Sequence, residues 1–202
     1  MKLWNKLSMV LAFLYIIPLT GVAQQNEAST IVSLLKSRDQ EIKSLLTSSE
    51  TTDNRERLKS VINANIDFTE MARLSLGPFW DSLSTEQRQE FVEVFSEIVR
   101  EHSLSNLDIY RAKVRYDSVQ VYGDSARAYT TAIYKDTPVQ VIYVLKKKGD
   151  RWVVVDLILD GVSTVEGYAR SFQGVIRKRG FDTLMRSLRK KLRKITASKT
   201  DG

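Results

Sequence analysis

The 202-residue chain contains no cysteine, a single histidine and only three prolines. Without cysteine it has no disulfide, no thiolate metal site and no cysteine nucleophile. One histidine, His102, rules out a zinc site built from several histidines, and no Ser-His-Asp set stands out around it. On an apolar helix stripe such a histidine reads as a hydrogen-bonded core residue. A glycine-rich phosphate loop is missing too, since Gly161 and Gly167 have the wrong spacing. Gly161-Val162-Ser163-Thr164-Val165 starts like a nucleophile elbow but carries valine where that motif requires glycine. Long apolar runs are also lacking. Leu7 to Ile17 spans 11 residues, short of the roughly 20 that cross a bilayer as a helix, and Trp152 to Val155 stops at Asp156.

What is present begins with a secretion signal. Lys2 and Lys6 form a basic head, the Leu7–Ile17 run follows, Pro18 ends it, and Gly21-Val22-Ala23 supplies small residues for a cut after Ala23. A membrane anchor is the alternative, and the run is too short for one. No cysteine follows the cut, so lipid attachment there is excluded. The expected product is an exported, periplasmic single domain, residues 24–202, large enough to bury its own core. Its charge is uneven. Residues 177–202 hold ten Lys/Arg against Asp182 and Asp201, a local +8, while residues 24–176 hold 19 bases against 22 acids. Export argues against nucleic acid as the partner of this tail. An anionic membrane surface, an acidic protein face or a plain solvated helix face remain, and Arg186, Arg189, Lys190 and Arg193 are the docking candidates.

Apolar periodicity predicts a helical first half, a β-rich middle and a helical end. Ile31, Leu34, Leu35, Ile42, Leu45 and Leu46 fall at helical spacing, with punctuation at Thr51 to Asn54. Shorter helices are expected over 56–65 and 67–75, and Gly77-Pro78 breaks the chain. Ser84-Thr85-Glu86-Gln87 reads as a capping box opening a helix with Phe91, Phe95, Ile98 and His102 on one stripe. Strands are expected over 112–122, 125–134, 138–146 and 151–159, joined by short turns into an antiparallel meander. Helices follow over 162–178 and from about 181, the last one basic along one face. The expected fold is therefore α+β: a four-stranded antiparallel curved sheet with N- and C-terminal helices collected on one side, leaving a cavity between the layers.

Asp156 and Asp160 lie four apart on the last strand, where paired carboxylates could do acid–base work, and Asp156 with Tyr143 are the candidates for an enzyme. The structural alternative has Asp160 capping the next helix and Asp156 meeting a backbone or tyrosine partner. Large apolar side chains gather around the strand-to-helix junction: Tyr143, Trp152, Val154, Ile158, Val162, Val165, Tyr168 and Phe172. With Leu76, Trp80, Phe91, Phe95 and Ile98 they are candidate walls of an apolar pocket, although periodicity alone would assign them to an ordinary core.

The stretch Arg73-Leu74-Ser75-Leu76-Gly77-Pro78-Phe79-Trp80 followed by DSLSTEQRQEFVEVF, and WVVVDLILDGVSTVEGYARSF followed by GVIRKRGFDTLMRSLRKKL, resemble the MlaC family of periplasmic phospholipid carriers, also called the toluene-tolerance family. The resemblance covers about residues 55–195 in the expected order. It implies a nuclear-transport-factor-2-like sheet with helices around an acyl-chain cavity. It also implies a carrier rather than an enzyme, one that shuttles phospholipid between an outer-membrane lipoprotein–porin complex and an inner-membrane ABC transporter with a hexameric substrate-binding ring, so maintaining outer-membrane lipid asymmetry. Neither cofactor nor metal is implied, and the monomer is the expected state. Val162 matches the family's pocket-mouth valine. Asp160 stands where glutamate is commoner, and Glu166-Gly167-Tyr168-Ala169-Arg170 replaces an Arg-Asn-Tyr-Arg-like run, so no headgroup contact is carried over there. A hopanoid-like amphiphile is the alternative cargo.

Overall fold

The computed structural model describes residues 19–47, 51–104 and 107–197. The expected leader lies mostly outside them; only its last five residues, 19–23, are described, as the start of a helix.

The elements run α1 (Leu19–Thr47), α2 (Thr52–Asn63), α3 (Phe68–Leu76), a 3-10 segment (Gly77–Ser82), α4 (Thr85–Ser103), a second 3-10 segment (Leu107–Arg111), β1 (Lys113–Tyr122), β2 (Ser125–Tyr134), β3 (Thr137–Lys148), β4 (Arg151–Leu159), β5 (Val162–Ser163), α5 (Thr164–Arg179) and α6 (Phe181–Ala197). Helix starts follow their caps. Thr51, Asp67, Ser84 and Ser163 each accept a hydrogen bond from the backbone amide three residues on, and Ser84 with Gln87 completes the predicted capping box. Thr51 to Asn54 therefore opens α2 rather than merely separating helices. At Gly77 the backbone has φ +55°, which calls for glycine, whereas a Cβ there would meet only the flexible end of Gln173, at 2.7 Å, which can swing aside.

The sheet is a curved, unclosed antiparallel meander in the order β1-β2-β3-β4-β5. Two-residue turns join the strands: Gly123 and Gly149 begin theirs with φ +57° and +61°, while Lys135-Asp136 has both residues at positive φ. The sheet has five strands where four were expected. Asp160 and Gly161, at φ 46° and 79°, form another tight turn that returns Val162 and Ser163 against Leu159 and Ile158, so α5 starts at Thr164 rather than at 162. Asp-Gly between apolar runs is itself a hairpin signal.

The helices do not collect on one side. On one sheet face, α1 lays Ile31 and Leu35 against Val121, Ala126, Ala128, Leu145, Trp152 and Val154. On the other, Lys146 and Lys148 pair with Glu70 and Asp67 of α3, and Asp156 holds the start of α5. The α3 entry also hydrogen-bonds the β4 edge through Asn65, Asp67 and Val154. A bulge at Val155 and the Asp160-Gly161 turn carry the chain to this second side. There α3, α4, α5 and α6 build their own core around Phe91, Phe95, Phe172, Leu184 and Met185.

Candidate functional site

Cross-strand partners share a face, so the register defines one continuous surface beneath α1. Val114, Tyr116, Val119 and Val121 of β1 lie opposite Ala132, Thr130, Ala128 and Ala126 of β2. These in turn face Val139, Val141, Tyr143 and Leu145 of β3, and the face continues through Leu157, Leu159 and Val162. From Ala126 to Ala132 the second strand contributes nothing larger than threonine, and Tyr134 follows on the same face at its end. Strands favour branched and aromatic side chains, so three alanines and one threonine on one face form a shallow trough flanked by larger walls.

The surface has two ends. At one, Ile31 and Leu35 fill the trough, and Glu27 pins α1 there by accepting from Lys147 Nζ and from Trp152 Nε1 at 2.6 Å. Those two bonds hold the Glu27 carboxyl below its ordinary value. Gln24 adds a bond of 2.8 Å to the Val121 carbonyl. At the other end Leu159 and Val162, direct cross-strand partners, are 40% and 61% exposed. Only four large apolar side chains are exposed among the described residues, the others being Tyr122 and Ile133. Half of them therefore sit together at this open end.

Between the ends Tyr116 and Tyr143 flank the small residues, with Tyr110 near them. Burial raises the Tyr143 hydroxyl to about 12, with the Asp39 charge adding to it; burial, then Tyr143, raises Tyr110 to about 12. Tyr116 is pushed up by burial, Asp39 and Tyr143 in that order, and Lys36 lies 5.5 Å from its ring centroid. These phenols stay neutral at any physiological pH and present hydrogen-bonding groups midway along an otherwise apolar face.

The expected pocket residues divide between two places. Tyr143, Trp152, Val154 and Val162 lie on the α1 face. Ile158 pairs with Ser163 and points to the opposite face. Leu76, Phe91, Phe95, Ile98, Val165 and Phe172 are buried in the helical core, with Trp80 and Tyr168 packed against it. Rings fill that core: Phe91 stacks on Phe95 at 5.5 Å, and Tyr168 meets Phe95 edge-on at 5.0 Å. One contiguous wall from all these residues is thus not formed. A pocket of about 310 Å³ lies at the closed end of the α1 face, between Gln24 and Gln25 of α1 and Val119 to Tyr122 of β1, and another of about 420 Å³ lies away from it, between α2 and α4 at Lys59, Asn63 and Arg100.

The carboxylate pair does not form a catalytic site. The strand bulge precedes Asp156, whose Oδ2 accepts from Ser163 Oγ at 2.6 Å while Oδ1 accepts from the Val165 and Leu157 amides. Asp156 thereby braces the helix start that Ser163 caps, whereas Asp160 accepts from the Gln140 amide across the turn and caps no helix. Tyr143 pairs with Leu157, on the face opposite Asp156. His102 is exposed rather than buried on its stripe, and partial burial with the Lys191 charge lowers its pKa; the buried neighbour is Glu101. Among the described residues no group of three or more metal-ligand side chains converges. Of the basic candidates, Arg186, Lys190 and Arg193 are exposed, whereas Arg189 is half-buried and donates through Nε to Glu90 at 2.8 Å.

An α+β fold whose sheet keeps one apolar, partly open face offers a surface suited to a bulky apolar ligand. Residues 26–190 match the family model described as MlaC protein, and the chain belongs to the MlaC family. A curated relative, the intermembrane phospholipid transport system binding protein MlaC of Haemophilus influenzae, is 28% identical over 117 residues, covering 54% of this chain and 55% of that protein. The aligned segment thus spans about half of the relative's length. A solved phospholipid-binding protein from Ralstonia solanacearum, in complex with a phospholipid, shares the fold with a TM-score of 0.69 at 19% identity, over 84% of this chain and 98% of that one.

Proposed function

We propose that this protein is a periplasmic phospholipid carrier that holds acyl chains against the α1 face of its sheet. In this reading it is not an enzyme and needs no cofactor. It ferries lipid between an outer-membrane lipoprotein–porin complex and an inner-membrane ABC transporter, so maintaining outer-membrane asymmetry. The observation that carries the reading is the small-residue trough that runs out to Leu159 and Val162 at an open, apolar end. The family membership and the names of the two relatives support it.

Energetics explain why a carrier is needed. Each methylene moved from bilayer to water costs ~0.8 kcal/mol, so two chains of about 16 carbons cost on the order of 20 kcal/mol. A dry protein surface of matching length removes that barrier without nucleophile, metal or nucleotide. Because Ile31 and Leu35 fill one end of the trough, loading proceeds from the Val162 end as α1 rides outward over the tyrosines.

Mass spectrometry of protein purified natively from a bacterial host tests the reading. A glycerophospholipid at near one per chain is expected, with uptake from liposomes after delipidation. A hopanoid-type amphiphile in its place changes the cargo; no lipid and no uptake refutes the carrier.

A further inference from the structure

The strongest unassigned surface is the basic face of the C-terminal helix. Leu184, Met185 and Leu188 of α6 are buried in the helical core, which turns the opposite side of the helix to solvent. On that side Arg186, Lys190, Arg193 and Lys194 follow at steps of four, three and one, all exposed. None of the four forms an ion pair among the described residues. Arg177, Lys178 and Arg179 end α5 just before it and are exposed as well. The remainder of the exported chain carries more acids than bases, so the molecule has one strongly positive end.

Two kinds of partner attract such a face. A protein interface needs apolar or aromatic anchors at its centre, yet none of the exposed large apolar residues among those described lies on α5 or α6. A membrane surface requires only spaced cations opposite anionic headgroups. Insertion is not available, because the apolar stripe of α6 is already used in the core. We propose that the Arg186–Lys190–Arg193–Lys194 stripe docks the protein peripherally onto anionic phospholipid headgroups, by charge alone and without inserting. This surface is separate from the trough under α1, and its role stands or falls independently of the cargo.

Sedimentation with vesicles tests it, using full-length exported protein and either phosphatidylcholine alone or phosphatidylcholine mixed with phosphatidylglycerol. Binding is expected only to the mixed vesicles and is lost as salt rises. Each cation near the surface is worth about fivefold in partitioning, so R186Q/K190Q lowers it about 25-fold and the variant also carrying R193Q and K194Q abolishes it. Thermal melting confirms that the variants fold, and their phospholipid content by mass spectrometry stays unchanged. Equal binding to both vesicle types, or binding that survives all four substitutions, overturns the proposal. So does absence of vesicle binding with salt-sensitive capture by an acidic protein instead.

Discussion

Ala132 of β2 and Asp156 of β4 point to opposite faces of the sheet, one toward the trough and the other toward the start of α5. Ala132 is buried on the α1 face between Val114 and Val139, outside the set that packs on Ile31 and Leu35. Ala132→Phe fills the trough with a ring, so phospholipid content falls sharply while stability drops by about 1–3 kcal/mol from overpacking. Native mass spectrometry and urea unfolding read the two effects separately, and unchanged lipid content argues against cargo at this point. Asp156→Ala leaves Ser163 Oγ and the Val165 amide without their buried acceptor. Losing those bonds costs about 3 kcal/mol, measured as a shift in the urea midpoint. A variant that unfolds normally but has lost an activity would instead revive Asp156 as a catalytic group.

Among the elements, α3 is clasped to β3 by ion pairs that make it acid-sensitive. Hydrogen bonds from Arg73, and then from Lys146, bring Glu70 down from 4.5 to about 2 against the cost of burial. Burial alone would raise Asp67, but bonds from Lys148 and the Glu70 amide hold it below its ordinary value. A carboxylate whose folded pKa is depressed adds stability above its unfolded pKa, and that stability is lost as pH falls through the folded one. Urea stability should therefore decline between about pH 4.5 and 2, and Glu70→Gln should flatten that decline. The same slope in both proteins would show that the clasp contributes nothing.

The elements also show what patterning reveals. Strand ends in β1 to β4 came within two residues of the pattern because tight turns and alternation are local signals. The fifth strand is hidden because Asp160-Gly161 reads equally as a helix start, although that dipeptide favours a type I′ turn. The alternating Ala126, Ala128, Thr130 and Ala132 were legible as well, but small residues carry no hydrophobic weight and so escape a search for large pocket walls. Which apolar side chains face α1 and which join the helical core depends on the bulge at Val155, a tertiary feature that no local pattern displays.

At the scale of the whole molecule, the described residues form three apolar cores: the helical one, the patch under α1 around Ile31 and Leu35, and a third where Ile42 and Leu45 of α1 meet Leu58, Val61 and Leu104. The ring-filled helical core gives a rigid body, while the α1 face is closed at one end by only a few side chains. Exposing Ile31 and Leu35 costs about 1.5–3 kcal/mol each, far less than the ~20 kcal/mol that two sheltered acyl chains represent. In the proposed carrier, lipid lifts only the Ile31–Leu35 segment of α1, while Ile42 and Leu45 keep its far end packed on α2.

The most direct measurement is the phospholipid content of Val162→Glu beside the wild-type protein, by native mass spectrometry. Val162 is 61% exposed at the mouth of the trough, so the folded protein tolerates glutamate with a stability change within about 0.5 kcal/mol. A charge there has no partner once acyl chains cover it. A carrier loaded through this mouth gives a folded variant with the melting point of the wild type and no bound phospholipid. Lipid occupancy equal to the wild type would contradict it.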